Sequence, residues 1–190
     1  NIKSLNFFKN VKTKITEGKD INSKIINFEI DEKPTGEVMA GAGGGTEGGT
    51  VFFGVKENNY LGKGLAVDAN ATLSAESFKG KFSVTNPNFN NSDKSTFFNL
   101  QAIEIDRLSE SGFKTNRTGF ELGTGFEYLQ DLNLSLSTST FVEKIETDST
   151  ASTRQKAQTG NYLDTFVKFN FDLDKRNQKY KTSDGYRSNY

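Results

Sequence analysis

From Leu65 to Glu76 the chain alternates without a break. Leu65, Val67, Ala69, Ala71, Leu73 and Ala75 occupy one phase, and Ala66, Asp68, Asn70, Thr72, Ser74 and Glu76 the other. A helix, with about 3.6 residues per turn, would mix the two sets around its circumference, whereas a strand sends successive side chains to opposite faces and keeps them apart. The segment is therefore a strand with one apolar and one polar face. Sustained over about 10 residues, the alternation suits a strand that crosses a bilayer with one face toward lipid and the other toward a polar interior.

The pattern recurs. Phe78, Gly80, Phe82 and Val84 oppose Lys79, Lys81, Ser83 and Thr85, and Phe120, Leu122, Thr124, Phe126 and Tyr128 oppose Glu121, Gly123, Gly125 and Glu127. Leu132, Leu134, Leu136, Thr138, Thr140 and Val142 oppose a mostly Asn, Ser and Glu set, and Leu163, Thr165, Val167, Phe169, Phe171 and Leu173 oppose Asp164, Phe166, Lys168, Asn170 and Asp172. Strand candidates run over 37–45, 50–58, 65–75, 77–86, 95–105, 114–128, 132–143 and 162–173, and a ninth starts near Gly185. Neighbouring strands joined by short turns form an antiparallel meander. The fifth candidate changes phase, with Phe98, Leu100 and Ala102 on one face and Ile103 and Ile105 on the other, so a bulge or a phase error is expected there.

Composition sharpens this reading. Hydrophobic residues make up 33% of 190 and the net charge is zero, values that suit a soluble domain but equally a barrel whose strands alternate in polarity. No run of about 18 apolar residues is present, so no transmembrane helix is expected. Zero Cys excludes disulfides and thiolate metal sites, and zero His removes the commonest general base and metal ligand. With no basic excess, the electrostatic footprint of a nucleic-acid binder is missing. The 17 Phe, with Tyr60, Tyr128 and Tyr162 near strand ends, fit a lipid-facing band with interfacial girdles. A soluble sandwich with Tyr at its rim is the alternative on composition alone.

The N-terminal segment differs. Ile2, Leu5, Phe7 and Phe8 read as the last turns of an amphipathic helix cut at its beginning, so the chain reads as a fragment. Val11, Thr13 and Ile15 then alternate with Lys12 and Lys14, and Ile26, Phe28 and Ile30 with Asn27, Glu29 and Asp31. This small α/β unit ends at Pro34-Thr35-Gly36, where Pro cannot donate to a ladder and Gly permits a change of direction. The polar stretches 106–113 and 144–161 follow the fifth and seventh strands, on one side of a meander, as the longer external loops of an outer-membrane barrel do.

Two motifs carry a chemical suggestion. Gly43-Gly44-Gly45-Thr46-Glu47-Gly48 satisfies G-x-G-x-x-G, but a dinucleotide site needs a helix to follow, and Thr50-Val51-Phe52-Phe53 is strand. A hairpin loop is the better reading. The inward carboxylates Asp68, Glu76, Glu121, Glu127, Asp164 and Asp172 are the ordinary lining of a barrel interior, and no acid/base pair assembles from them by sequence.

Several connections resemble, in order, those of the BamA family of outer-membrane β-barrel assembly proteins, in the bacterial surface antigen superfamily. They are Glu32 to Gly36, the Gly-rich Gly41 to Gly49, Asn58-Asn59-Tyr60-Leu61-Gly62-Lys63-Gly64, and Ser83 to Phe89 with Asn86 and Pro87. Asp174 to Arg187, with Asp184 and Gly185, is similar to the turn before the family's ninth strand. Leu5 to Val11 resembles the helix-to-strand step of its POTRA domains. Asn88 departs from the family's usual aromatic residue, and the Arg-Gly-Phe/Tyr loop of the family's later half is absent.

The resemblance implies a mainly β fold: residues 1–34 as the C-terminal part of the membrane-proximal POTRA domain, and 35–190 as the N-terminal half of a sixteen-stranded barrel, open along both edges. It implies a non-enzymatic role without cofactors in folding and inserting outer-membrane proteins, with unfolded clients, assembly lipoproteins and outer-membrane lipid as partners. The N-terminal segment would lie in the periplasm. The strand Glu37, Val38, Met39, Ala40, Gly41, Ala42 and Gly43 would be half of a lateral gate, pairing a client by backbone hydrogen bonds; its glycines weaken side-chain packing whatever the family. A plain tight hairpin is the competing reading of that strand. An autotransporter assembly factor, a translocation pore and a passive porin-like barrel are the alternative functions.

Overall fold

The computed structural model describes residues 7–18, 23–45, 48–178 and 181–190. It divides into Asn1–Gly36 and Glu37–Tyr190. In the first unit β1 (Phe8–Glu17) pairs antiparallel with β2 (Lys24–Glu32), setting Ile15 opposite Ile26, Thr13 opposite Phe28 and Val11 opposite Ile30. One face of the hairpin is therefore apolar. The expected helix end falls largely on residues 1–6, outside the described residues, and the strand begins at Phe8, before the alternation at Val11 announces it.

The second unit is one sheet in strict chain order: β3 (Gly36–Gly45), β4 (Gly48–Tyr60), β5 (Leu65–Ser74), β6 (Ser77–Asn86), β7 (Ser95–Arg107), β8 (Phe113–Leu129), β9 (Leu132–Thr147), β10 (Gly160–Asp174) and β11 (Arg187–Asn189). It does not close. The eight strands read from alternation are all present, and their register carries one phase across the sheet: Ala69, Phe82, Leu100, Phe120, Thr140 and Thr165 are successive partners. Leu65, Val67, Leu73, Phe126, Leu134 and Phe169 lie on this same apolar face. The polar face is the more enclosed one, since Ser139 is 1% exposed there while Phe169 opposite is 65% exposed.

Two expectations are corrected. β7 carries no bulge: its register runs unbroken from Ser95 opposite Gly125 to Arg107 opposite Phe113. Ile103 and Ile105 sit on the polar face in regular phase, and Ile105 aligns through Thr115 with Ile145, so that face holds apolar residues near one end. Register shifts occur instead at Glu57/Tyr60 and Glu127/Leu129, beside turns. Loop length also fails to separate the two ends of the sheet, because strands extend beyond their alternating cores. Connections 108–112 and 148–159 lie at one end, and 87–94 and 175–186 at the other.

The loops at the first end are interlocked. Asp148 donates its amide to the Gly112 carbonyl at 2.9 Å, and Gly112 has φ +65°, where a side chain would overlap Asp148, Thr150 and the Ala151 backbone. Ala151 is 6% exposed, the most buried apolar residue described. A short helix, α2 (Thr153–Lys156), follows with a capping box between Ser152 and Gln155; α1 (Leu108–Ser111) precedes Gly112. The Thr150 hydroxyl and amide hold the Asp148 carboxylate below the ordinary carboxylate range. A lowered folded pKa contributes stability that is complete above the unfolded value and disappears as pH falls through the folded one. Amide hydrogen exchange within 148–159, corrected for its intrinsic pH dependence, should therefore speed up below about pH 4 in the wild type and not in Asp148→Asn. Identical pH profiles for the two proteins would exclude Asp148 as the titrating group.

Candidate strand-pairing edge

β3 pairs with β4 on one side only, and every one of its residues is exposed. A Cβ built on Gly41, Gly43, Gly44 or Gly45 would meet nothing within 4 Å. Val38 is 72% exposed. Met39 has a neighbour: its Cε lies 3.3 Å from where a Gly54 Cβ would stand, so Met39 is on the polar face and Val38, Ala40 and Ala42 take the apolar phase. The G-x-G-x-x-G pattern joins two strands, with Gly43 to Gly45 in β3 and Gly48 opening β4, and no helix follows.

Such a strand offers one functional group, a row of backbone N–H and C=O along its open side, with little side-chain bulk to obstruct a partner. The other edge differs. β11 and Tyr190 cover β10 only from Phe171 to Asp174, and above that point β10 carries Leu163, Val167 and Phe169 at 70%, 61% and 65% exposure. One edge is bare and the other dressed.

The apolar face is also uneven. On β10 it runs from Leu163 to Leu173, about 33 Å along the strand or about 25 Å across the sheet at a tilt near 40°. On β6 it runs from Phe78 to Val84, about 15 Å by the same measure, and on β4 from Val51 to Val55, about 10 Å, before Glu57 takes the phase. β5 reaches from Leu65 to Leu73 but carries only Ala69 and Ala71 at its middle.

On the polar face Glu121, Asp68, Glu127, Glu76 and Asp172 each have hydrogen-bond or ion-pair partners, while Asp164 lies opposite Phe141 of β9. Glu121 accepts from Ser137 at 3.0 Å, Lys168 at 3.1 Å and Asn99 at 3.3 Å, tying β7, β9 and β10 to β8. Asp68 accepts from Asn70 at 2.7 Å, Glu127 from the Asp131 amide at 2.9 Å, Glu76 faces Arg107 at 3.4 Å and Asp172 holds Arg187 through two bonds of 2.8 and 2.9 Å. Among the described residues no group of acids could hold a metal ion. Arg117 stacks 4.4 Å over the Phe141 ring, and that ring occupies the space above Gly119, as Phe97 does above Gly123. Alternation alone marked Gly123 only as a polar-phase residue.

The turn residues singled out from sequence form compact knots. Asn59 accepts from Gly62 through its carbonyl at 2.9 Å and from the Gly64 amide through Oδ1 at 2.7 Å, with Leu61, Gly62 and Gly64 all at positive φ. Asn86 Oδ1 accepts from the Asn88 amide just after Pro87, and Phe89 donates to the Lys94 carbonyl at 2.7 Å. Pro34 lies between β2 and Gly36, which opens β3. Asp184 and Asn177 exchange backbone and side-chain bonds, and Gly185, at φ +92°, lies so close to the Lys175 carbonyl that any Cβ would overlap it. These turns, apart from the tips that carry α1 and α2, share the end of the sheet at which β3 begins.

The family model described as the Omp85 superfamily domain matches residues 59–190. Among solved structures the chain is similar to BamA from Haemophilus ducreyi lacking POTRA domains 1–3. The TM-score is 0.73 at 18% identity, over 99% of this chain and 39% of that one. The likeness at that identity is one of fold, and the chain spans 39% of the length of the protein it matches.

Proposed function

Because the chain belongs to the Omp85 superfamily, we propose that its open sheet is the first half of an outer-membrane barrel that folds and inserts other β-barrel proteins, with β3 as the lateral edge on which a client strand is templated. The observation that carries this reading is the one-sided, glycine-bare β3. Its open side offers hydrogen bonds to any strand irrespective of sequence, which suits clients that share only their β structure. Weak packing on both faces lets such a pairing be exchanged afterwards.

The short apolar run on β4 supports the same mechanism. Where about 25 Å of apolar surface faces lipid the bilayer is matched, and where only about 10 Å does, near β4, lipid must thin locally or leave polar groups unsolvated. A client strand would enter the membrane beside the gate at lower cost. On this reading the β1–β2 hairpin is the end of a POTRA domain in the periplasm, the carboxylates of the polar face line a solvated lumen, and assembly lipoproteins dock outside the barrel. The chemistry is backbone pairing and uses no cofactor and no catalytic side chain.

The test is substitution that removes backbone donors and little else. Ala40→Pro or Ala42→Pro in the intact protein should impair client insertion, because Pro cannot donate to a ladder, while Ala40→Val should leave insertion near normal. The readout is the rate at which newly made outer-membrane proteins become heat-modifiable in cells. A translocation pore passing its client through the lumen would tolerate all three, and so would a passive porin.

A further inference from the structure

The apolar face carries an open groove of about 480 Å³, lined by Thr96, Leu122, Thr124, Leu136, Thr138 and Val167. It lies within the usual size of small-molecule sites, about 300–1,000 Å³. It exists because three threonines stand where the surrounding face is Phe and Leu, and residues of the other phase, Phe97, Gly123 and Ser137, form its floor. Thr124 donates its hydroxyl to the Ser95 carbonyl at 2.9 Å, so the cavity wall there is not a free donor. The register gives the notch a direction. Thr96, Thr124 and Leu136 are successive partners, and Leu122, Thr138 and Val167 are the row above them, so the notch climbs diagonally from β7 to β10. The stacked rings of Phe98 and Phe120, with centroids 6.3 Å apart, stand at its upper side.

At the lower end lies a cation. Lys94 is exposed two residues before Thr96 and so continues the phase that β7 gives to the apolar face, while the neighbouring Asp93 lines a cavity of the polar face with Asn170 and Asp172. Tyr128, 61% exposed, lies toward the same end of the sheet, where β8 ends. We propose that the notch seats one acyl chain of a glycerophospholipid whose phosphate pairs with Lys94, in the leaflet on the side where β3 begins. This rests on the reading of the apolar face as lipid-facing. A phospholipid fits because its anionic group and its chain are joined end to end, as Lys94 and the notch are.

The experiment incubates the intact protein with vesicles of phosphatidylethanolamine and phosphatidylglycerol, extracts it in mild detergent and counts retained lipid by native mass spectrometry. The wild type should keep one phospholipid. Thr124→Leu with Thr138→Leu, which fills the notch with side chains at home on an apolar face, should lower that retention at least about tenfold, the change expected from roughly two methylenes left unburied. Lys94→Glu should selectively lower retention of phosphatidylglycerol. Equal retention in the filled variant overturns the site, as does retention of lipopolysaccharide instead of phospholipid from an outer-membrane extract. A protein that inserts into vesicles yet retains lipid regardless of the notch refutes the notch alone, whereas one that never associates with vesicles refutes the membrane reading with it.

Discussion

Cells whose protein carries one Cys at Ala40 and one on the last strand of the intact barrel should stop assembling outer-membrane proteins when the pair is oxidised, and resume on reduction. The chain contains no Cys, so the introduced pair has no competing partner within these residues. A disulfide requires Cα atoms within about 4.4–6.8 Å, which is the spacing of adjacent strands, so a bond that forms also reports that the two strands are neighbours. The expected effect is near-complete arrest, because a covalent lock removes the open edge entirely while leaving every side chain of the lumen in place. Each single-Cys protein should work normally. Cells that assemble barrels at the ordinary rate with the lock closed would end the gate mechanism and leave the barrel intact as a fold.

Gly119→Val should prevent stable folding, while Gly41→Val should be almost silent. Gly119 lies opposite Gln101 on β7 and Phe141 on β9, and a Cβ there would overlap both the Thr140 carbonyl and Phe141. Backbone cannot yield as a side-chain tip can, so β8 and β9 must separate, at a cost of about 3 kcal/mol or more. These are the two longest strands, at 17 and 16 residues. At Gly41 nothing lies within 4 Å, and the change should stay within about 0.5 kcal/mol. Urea unfolding in lipid vesicles reads both. A Gly119→Val protein with the wild-type midpoint would mean that the close approach of β8 and β9 is not needed.

Alternation made the second unit legible because a period of two is imposed directly on sequence wherever a strand separates two media. Leu65 to Glu76 and Leu163 to Leu173 gave the faces of their strands, and the first of them its bounds to within two residues. The signal failed where one face is not uniform. Ile103 and Ile105 suggested a phase change because apolar residues on a polar face look the same as a slipped register, and only the continuous pairing with β6 and β8 separates the two. Strand ends such as Lys144 to Thr147 and Gly160 to Asn161 stayed hidden in polar sequence, since backbone pairing continues where patterning stops. The bare character of β3 was readable in Gly41 to Gly45. The stacking of Phe97 and Phe141 above glycines, the uneven height of the apolar face and the threonine notch were not, because each depends on how strands register against one another.

That every strand of the larger sheet pairs only with its neighbours in the chain bears on how the protein itself comes to be built. Each new pairing closes a loop of one turn, so the entropic toll of bringing distant segments together is met in small instalments rather than at once. Such a ladder can grow hairpin by hairpin, with a usable edge at every stage. A half-made sheet is already a template for its next strand, and growth of this kind has no need to wait for the ring to close.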